Sequence, residues 1–590
     1  MTGNEAIARG AWEAGVRFAS AYPGTPSTEI LEAMAAYSEV RSQWSVNEKT
    51  ALEGAFGACL GGVRSICAMK HVGLNVAADP LFSSAYTGVN AGLVIVTADD
   101  PGCHSSQNEQ DNRMYARFAK LPLLEPSDSQ EALDFVKLAF EISEQFDTPV
   151  LLRTTTRISH GKSPVITGNR IDVAPRSYSR TPSKYVLVPA NARPRHTVVE
   201  ERLARLADFA SASRANRVVP GSSKLGVITH GAAAQYAMEA LGSSASYLIL
   251  GMSFPFPAKL VEQFASSVEQ VIVVEELEPF IEESVRSMGI PVEGKALIPR
   301  EGELNTGIVA RALGGLAGDA VGPAPAASPA AAPARPPMFC AGCPHRGVFF
   351  ELAKLPVMVY GDIGCYALGA IPPFTALDTC IDMGASISGG AGFQAALEIS
   401  KADKPVRAVA VIGDSTFFHS GMTGLLDSVY NSSGLITMVL DNRITAMTGH
   451  QENPGSGFCL NGSPAPEVHI EDVARALGIE NVITVSPFEP EKVRKALVTC
   501  LEDPGPSVII ARGPCALLRR LAAKKPAFVV DQEKCRRCKA CLKVACPALY
   551  VRDGQIMIDE ATCMGCGVCA QACRFGAIAN TVETGEGSEA

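Results

Sequence analysis

The chain has 590 residues, of which 47% are hydrophobic and 19% are charged, with a net charge of -9. This length predicts several globular domains, while the negative charge argues against a nucleic-acid surface, and no stretch approaches the ~20 apolar residues of a membrane helix. Because the start of the chain has no apolar signal core, we expect a cytoplasmic protein whose 18 cysteines serve metal or redox centres rather than disulfides.

The part of the chain before residue 319 alternates between strand and helix patterns. Buried strands are predicted at 91–99 and 224–231, and an amphipathic helix is predicted at 130–146. A charged segment at about 161–202 has an irregular pattern and separates a first α/β unit from a second. This alternation predicts doubly wound parallel sheets.

A Pro/Ala-rich segment then predicts a stiff, partly extended linker. A third α/β unit follows, with strands at 406–414 and 435–442, and from about residue 526 cysteines dominate. The predicted fold class is therefore α/β, with several doubly wound domains and a C-terminal domain resembling a two-cluster ferredoxin. The predicted boundaries are 1–165, 166–318, a linker at 319–337, 338–525 and 526–590.

The C-terminal segment contains two C-x2-C-x2-C runs, each followed by a fourth cysteine. This spacing is typical of a ferredoxin with two [4Fe–4S] clusters, in which the fourth cysteine of each run binds the other cluster. Zinc is the alternative, but its sites usually use cysteine pairs rather than triplets. The predicted ligand sets are Cys535, Cys538, Cys541 and Cys573 for one cluster, and Cys546, Cys563, Cys566 and Cys569 for the other.

Two neighbouring strands of the third unit are each predicted to end in polar residues. Asp414 and Asn442 can share a hard cation, and the backbone carbonyl of Ile444 could be a third ligand. Gly413 and Ser415 fit a turn whose N–H groups face an anion. The pattern indicates a diphosphate site bridged by Mg²⁺, with two ordinary strand ends as the alternative.

This pattern is similar to the thiamine diphosphate signature of the 2-oxoacid:ferredoxin oxidoreductases. Over essentially its whole length, the chain resembles the large (alpha) subunits of the indolepyruvate ferredoxin oxidoreductases. Besides the cysteine-rich tail, the resemblance is carried by AYPGTPSTEI (21–30), NEKTALEGAFGA (47–58), MKHVGLNVAADPL (69–81), FCAGCPHRG (339–347), DIGCYALG (362–369) and DNRITAMTGHQ (441–451).

The resemblance implies roles for residues of the first unit. Glu48 would face the aminopyrimidine ring of the cofactor; an acid on the solvated face of a helix start is the alternative. Thr25 would donate to the substrate carboxylate, and Arg113 is a second candidate partner for that group. Lys70 and His71 would face the same cavity, with a surface or structural role as the alternative.

In the other units, the resemblance implies thiamine-diphosphate-binding folds at both ends of the α/β region and a transketolase C-terminal-like domain between them. Gly384 would contact the cofactor. A third, proximal [4Fe–4S] cluster is implied, with a zinc knuckle or simple packing near the cofactor as alternatives. Its ligands would be Cys340, Cys343, Cys365 and Cys515.

The implied activity is the oxidative decarboxylation of arylpyruvates such as indolepyruvate. Coenzyme A would be the co-substrate, aryl-acetyl-CoA and carbon dioxide the products, and ferredoxin the electron acceptor. A smaller beta subunit is implied, in an α2β2 assembly. The alternatives are the same chemistry on pyruvate or another 2-oxo acid, or an electron-transfer module without thiamine catalysis. Basic residues at 519–543 are predicted to steer an acidic ferredoxin, unless they only solvate a linker.

Overall fold

The structure is a computed structural model that describes residues 1–317, 336–400, 407–518, 520–521 and 524–580. It divides into two units, residues 1–332 and 333–590, each of which is described by itself. The predicted linker, apart from residues 336 and 337, lies outside the described residues, as does Arg519 of the predicted basic segment.

The first unit contains two sheets. Its strands are β1 (Phe18–Ala21), β2 (Arg41–Trp44), β3 (Ser65–Lys70), β4 (Leu93–Asp99), β5 (Leu123–Leu124), β6 (Val150–Thr155), β7 (Asn216–Val219), β8 (Leu225–Thr229), β9 (Ser246–Leu250), β10 (Met252–Phe254) and β11 (Gln270–Val274). The first sheet has the order β10-β5-β6-β4-β3-β1-β2, and the second has the order β11-β8-β9-β7.

The prediction of parallel sheets is confirmed except at two edges. Strand β10 is antiparallel to β5, and β7 is antiparallel to β9. Strand β10 joins the first sheet although it lies in the predicted second domain, so that sheet continues beyond residue 165. The apolar runs at β4 and β8 are fully buried, as expected for parallel strands covered on both faces.

Helices cover the sheets of the first unit. They are α1 (Gly3–Glu13), α2 (Thr28–Met34), α3 (Glu48–Leu60), α4 (His71–Val76), α5 (Ala78–Thr87), α6 (Arg113–Ala119), α7 (Ser129–Phe146), α8 (Thr156–His160), α9 (Pro182–Tyr185), α10 (Pro189–Ala212), α11 (Gly231–Leu241), α12 (Ala258–Ala265), α13 (Phe280–Ser287) and α14 (Thr306–Ala317). Helix α7 matches the predicted amphipathic helix. The segment at about 161–202, whose sequence pattern is irregular, contains α9 and the first part of α10.

The second unit is built on one parallel sheet and ends in a small cysteine-rich part. Its strands are β12 (Val357–Gly361), β13 (Thr379–Cys380), β14 (Arg407–Gly413), β15 (Ile436–Asp441), β16 (Asn481–Val485), β17 (Ser507–Arg512), β18 (Phe528–Val530), β19 (Leu549–Arg552), β20 (Gln555–Ile558) and β21 (Ile578–Asn580). The large sheet has the order β13-β12-β14-β15-β17-β16, while β18 pairs with β21 and β19 with β20, both antiparallel.

The helices of the second unit include a π-helical turn, Phe417–Gly421, which is separated from the end of β14 only by the short helix Asp414–Thr416. Such turns occur frequently at functional sites. The α-helices are α15 (His345–Leu352), α16 (Ala385–Ser400), α17 (Asp414–Thr416), α18 (Met422–Tyr430), α19 (Ile470–Ala476), α20 (Pro490–Glu502) and α21 (Val568–Gln571). In the part of the chain that the structure describes, no helix combines the length and apolarity needed to cross a bilayer.

Candidate functional site

The ends of β14 and β15 meet because the two strands are adjacent and parallel, with Gly413 opposite Leu440. Beyond these ends, the hydroxyl of Thr445 donates to the hydroxyl of Ser415 over 2.9 Å. The structure therefore brings the loop after the Gly-Asp pair into contact with the loop after the Asp-Asn pair.

Asp414 lies buried at this junction, with 2% of its surface exposed. Its carboxylate accepts a hydrogen bond of 3.1 Å from the Asn453 side-chain amide. Burial, followed by the nearby Asp441 carboxylate, raises the pKa of Asp414 to about 7. A divalent cation would offset both effects, since it stabilises the ionised form of a carboxylate that it binds. This environment fits the predicted role of Asp414 as a magnesium ligand.

The second predicted ligand, Asn442, is fixed from two sides. Its side-chain oxygen accepts from the Ile444 N–H at 3.1 Å, and its backbone carbonyl accepts from the Cys515 N–H at 3.0 Å. Both Asn442 and Ile444 are buried. The loop that carries Asn442 and Ile444 is thus hydrogen-bonded to Cys515, one of the predicted ligands of the proximal cluster.

Gly384 lies just before α16 and has φ of +97°, which favours glycine. Its N–H donates to both carboxylate oxygens of Asp362 at 3.0 Å, and the Ser386 N–H donates to the same carboxylate at 3.0 Å. Burial raises the pKa of Asp362 to about 6. Asp362 was not among the predicted site residues, although it begins the DIGC motif that holds Cys365.

Cys365 is connected to the Gly-Asp pair through its neighbour Tyr366. The Tyr366 ring packs against Gly413: a Cβ there would lie 2.7 Å from the ring, and the Tyr366 hydroxyl donates to the Ile363 carbonyl at 2.7 Å. Burial raises the pKa of Cys365 to about 11, and the thiols of Cys515 and Cys340 add to the rise.

The four cysteines predicted to hold the proximal cluster act on one another electrostatically. Burial raises the pKa of Cys343, and Cys340 and Cys365 raise it further. Burial also raises the pKa of Cys515, with a further contribution from Cys340. The structure therefore gathers these cysteines in one region. Among the described residues, no three His, Cys, Asp or Glu side chains converge closely enough to hold a single metal ion.

The tail cysteines are gathered in the two sets predicted from their spacing. One small cavity is lined by all four cysteines of the first set: Cys535, Cys538, Cys541 and Cys573. In the second set, burial raises the pKa of Cys569 to about 12, and the neighbouring thiols that add to the rise are led by Cys566, Cys546 and Cys563. In both sets the fourth cysteine of one run thus lies with the other run, as in a two-cluster ferredoxin.

The proximal cysteine loop is in contact with the second tail run. Gly342, between Cys340 and Cys343, has φ of +71°, and a Cβ on it would lie 2.7 Å from the Cβ of Met564. Met564 itself lies between Cys563 and Cys566. The second tail set is therefore the inner one, next to the proximal loop, whereas Cys538 of the first set is exposed.

Glu48, in the first unit, is the first residue of α3 and is 5% exposed. The Asn47 side chain caps this helix by accepting from the Thr50 N–H at 2.9 Å. The Glu48 carboxyl packs against Gly73, where a Cβ would lie 2.6 Å from the carboxyl oxygen. A solvated helix face, the alternative for Glu48, is therefore excluded.

The loop of Thr25 lies near the same end of the first sheet, and Thr25 is half-buried. A Cβ on its neighbour Gly24 would lie 2.9 Å from the Cβ of Lys70. Burial lowers the pKa of Lys70 to about 8, and its ammonium donates to the Ser105 carbonyl at 2.6 Å. Lys70 therefore lies beside the loop of Thr25, while the cavity that Lys70 and His71 would share with it stays a prediction.

Arg113 has a different environment from the one expected for a substrate contact. Its guanidinium is fully buried, donates to the carboxylates of Asp111 and Glu275 at 2.5 and 2.6 Å, and donates to the backbone carbonyls of Glu276 and Glu278, each at 2.9 Å. These contacts favour a structural role, the linking of α6 to the segment after β11, over binding of a carboxylate ligand.

Three family models match separate parts of the chain. Residues 9–202 match the thiamine-diphosphate-binding part of pyruvate flavodoxin/ferredoxin oxidoreductases. Residues 362–511 match the C-terminal TPP-binding domain of thiamine pyrophosphate enzymes, and residues 527–584 match a 4Fe-4S dicluster domain. The matched ranges contain Glu48, the strand-end site and the eight tail cysteines, respectively.

Curated relatives match nearly the whole chain. The indolepyruvate oxidoreductase subunit IorA of Methanothermobacter thermautotrophicus is 44% identical over 98% of this chain and 96% of its own length. The subunits IorA of Pyrococcus horikoshii and Archaeoglobus fulgidus are each 41% identical, over 98% and 97% of this chain and 96% of their own lengths. A solved 2-oxoglutarate:ferredoxin oxidoreductase from Magnetococcus marinus has a TM-score of 0.45 and 18% identity, covering 54% of this chain and 65% of that chain, which is too low to support an argument about the site.

Fold, site and family models together define a thiamine-diphosphate-dependent 2-oxoacid:ferredoxin oxidoreductase that binds [4Fe–4S] clusters. Within this class, the chain belongs to the family of the indolepyruvate oxidoreductase subunits IorA.

Proposed function

We propose that the chain is the catalytic subunit for oxidative decarboxylation of indolepyruvate and related arylpyruvates, with coenzyme A as acceptor of the acyl group. Each turnover would release one molecule of carbon dioxide and two electrons, and the electrons would pass one at a time to the iron–sulfur clusters. The observation that carries the proposal is the 3.0 Å hydrogen bond from the Cys515 N–H to the Asn442 carbonyl. It puts a candidate cluster ligand beside a candidate cofactor ligand, as electron transfer from cofactor to cluster requires.

The protein's part is to hold and orient the cofactor. Asp414, Asn442 and the Ile444 carbonyl would bind Mg²⁺, whose charge would help to hold the diphosphate. When bound, thiamine diphosphate would supply the electron sink that accepts the electron pair left by departing carbon dioxide. The Glu48 carboxyl would hydrogen-bond the pyrimidine ring and exchange a proton with it. Because Glu48 is buried, water would be kept away from this proton transfer. Thr25 would donate to the substrate carboxylate.

Electrons would then pass through three clusters in order. The proximal set would hold the first cluster, the inner set with Cys546 the second, and the outer set with Cys538 the third. This order is supported by the contact of Gly342 with Met564 and by the exposure of Cys538. Exposed basic residues of the outer loop would steer an acidic ferredoxin: Arg536, Arg537, Lys539 and Lys543. Transfer rates insensitive to ionic strength would contradict this steering.

The names of the relatives support indolepyruvate as substrate and a second subunit as partner, since each is named as a subunit of an indolepyruvate oxidoreductase. We propose a smaller beta subunit in an α2β2 assembly, which would contribute to the binding of coenzyme A. A cytoplasmic location is proposed with it, because ferredoxin and coenzyme A are both soluble partners.

The test is to assay the anaerobically purified complex with indolepyruvate, phenylpyruvate and pyruvate, measuring carbon dioxide and the acyl-CoA product. We expect the two aryl substrates to be preferred, and Glu48→Gln to slow turnover by about 10²–10⁴-fold. Glu53→Gln is the matched control, since Glu53 is an exposed acid on the same helix. Preference for pyruvate would overturn the aryl assignment, whereas clusters without retained thiamine diphosphate would indicate an electron-transfer module.

A further inference from the structure

A buried arginine connects the proximal cysteine loop with the tail. Arg346 is 1% exposed and lies in α15. Its Nε and Nη2 donate to the Cys340 carbonyl at 3.0 and 2.9 Å, and Nη2 also donates to the Phe339 carbonyl. Nη1 donates to the Val544 carbonyl at 3.2 Å and to the Ala545 carbonyl. The guanidinium therefore joins the residue Cys340 to the residue just before Cys546.

All of these acceptors are backbone carbonyls. Within the described ranges, no carboxylate lies at ion-pair distance from Arg346. A guanidinium stays protonated in proteins, and a buried charge is costly unless an opposite charge compensates it. The compensating charge must come from elsewhere in this region.

The groups that can compensate Arg346 are the cysteine thiolates on either side of it. Burial lowers the pKa of Arg346, and the thiols that act in the opposite direction are those of Cys546 and Cys566, from the inner set, and Cys343 and Cys340, from the proximal set. A cluster bound by four thiolates is anionic, so two clusters would surround this one cation.

We propose that Arg346 is a positioning residue for electron transfer: it docks the inner cluster onto the proximal one, and its charge raises the reduction potentials of both. The inference rests on the proposed function, because it requires both clusters. Reduction adds one negative charge to a cluster, and a buried cation beside it stabilises the reduced form, so it makes the potential less negative. Among the described residues, the guanidinium makes no hydrogen bond to a cysteine of the outer set, which includes Cys535 and Cys538.

The chain offers variants that separate charge from shape. Arg346→Gln removes the charge and part of the hydrogen bonding, while Arg346→Lys keeps the charge but not the planar fork. Arg552→Gln is the matched control, because Arg552 belongs to the tail but its side chain is 76% exposed. The complete complex of each variant is purified without air, its iron and acid-labile sulfide are counted, and its clusters are titrated by EPR-monitored potentiometry.

We expect Arg346→Gln to shift two of three midpoint potentials to more negative values and to leave the third unchanged. In Arg346→Lys the three potentials should stay closer to those of the parent protein than in Arg346→Gln, and in Arg552→Gln no potential should shift. Unmoved potentials in Arg346→Gln, or equal shifts in the Gln and Lys variants, would overturn the proposal. Equal loss of iron from Arg346→Gln and Arg346→Lys would also overturn the proposal, since it would indicate that Arg346 acts through packing alone. Loss of iron from Arg346→Gln only would support the proposal. A parent protein without clusters would instead refute the proposed function.

Discussion

The ring of Tyr366 occupies the space in which a side chain on Gly413 would lie, 2.7 Å from the position of its Cβ. Tyr366 follows Cys365, and Gly413 precedes Asp414. One packing contact therefore joins the residue after a candidate cluster ligand, Cys365, to the residue before a candidate magnesium ligand, Asp414.

Gly413→Ala tests this contact. The backbone at Gly413 is extended, with φ of -82°, so alanine can adopt this conformation without strain. Any effect of the substitution therefore comes from the contact of its methyl group with the Tyr366 ring. Overpacking of this kind costs about 1–3 kcal/mol, and we expect Tyr366 to move and retained thiamine diphosphate to fall. Gly392→Ala is the control, because a Cβ there meets nothing within 4 Å. Equal cofactor content in both variants would contradict the tight fit.

Asp414→Asn should remove the cofactor while leaving the clusters in place. The amide cannot supply the charge that Mg²⁺ requires, so we expect retained thiamine diphosphate to fall by more than about tenfold, with iron content unchanged. Acid release followed by a coenzyme assay measures the first quantity. Asp427→Asn, an exposed position on α18, serves as control. Full retention of coenzyme by Asp414→Asn would exclude Asp414 as the magnesium ligand.

Cys365→Ser should lose one cluster of three and keep the cofactor. The remaining clusters would still be reducible by dithionite, but substrate would no longer reduce them, because the first electron acceptor is missing. Cys459→Ser is the control, since Cys459 is exposed and belongs to none of the three sets. If Cys365→Ser kept the iron content of the control, the proximal cluster would need other ligands.

Glu276→Gln should make the first unit more stable at alkaline pH. Burial raises the pKa of Glu276 to about 7 from an ordinary 4.5, so the folded state binds more protons than the unfolded state between these values. The contribution of Glu276 to the free energy of unfolding is fully present below pH 4.5 and is lost as the pH rises through 7. Glutamine keeps an acceptor for the Leu304 N–H and should add on the order of 3 kcal/mol at pH 8. Calorimetry at pH 5 and 8 measures the difference, and a gain equal at both would contradict it.

The sequence predicted those features whose signal is local. The strands β14 and β15 are apolar runs that end in polar pairs, and parallel neighbours necessarily bring such ends together. The tail spacing likewise gave both cysteine sets. Glu48 and Cys365 required the resemblance to a family, because a helix-start acid and a single cysteine carry no specific pattern.

What the sequence could not predict depends on contacts between distant residues. Arg346 lies within the motif FCAGCPHRG, but its proposed role depends on the carbonyls of Val544 and Ala545, which are 198 and 199 residues further along the chain. Helix α10 carries a proline within it and is held by tertiary contacts, including that of Arg202 with the Ala85 carbonyl at 2.5 Å. Strand β10 lies in the predicted second domain but pairs with β5 of the first sheet, so this pairing joins two domains that the sequence pattern had separated.

The most direct test of the account is a single turnover without an external acceptor. The complex is mixed with indolepyruvate and coenzyme A in the absence of air, and carbon dioxide and reduced-cluster EPR signals are followed together. We predict that bound thiamine diphosphate and [4Fe–4S] clusters are both present, and that carbon dioxide release and cluster reduction occur in the same reaction. Clusters that stay oxidised while carbon dioxide is released, or a complex that holds iron and sulfide but no thiamine diphosphate, would contradict the claim that one chain joins the two chemistries.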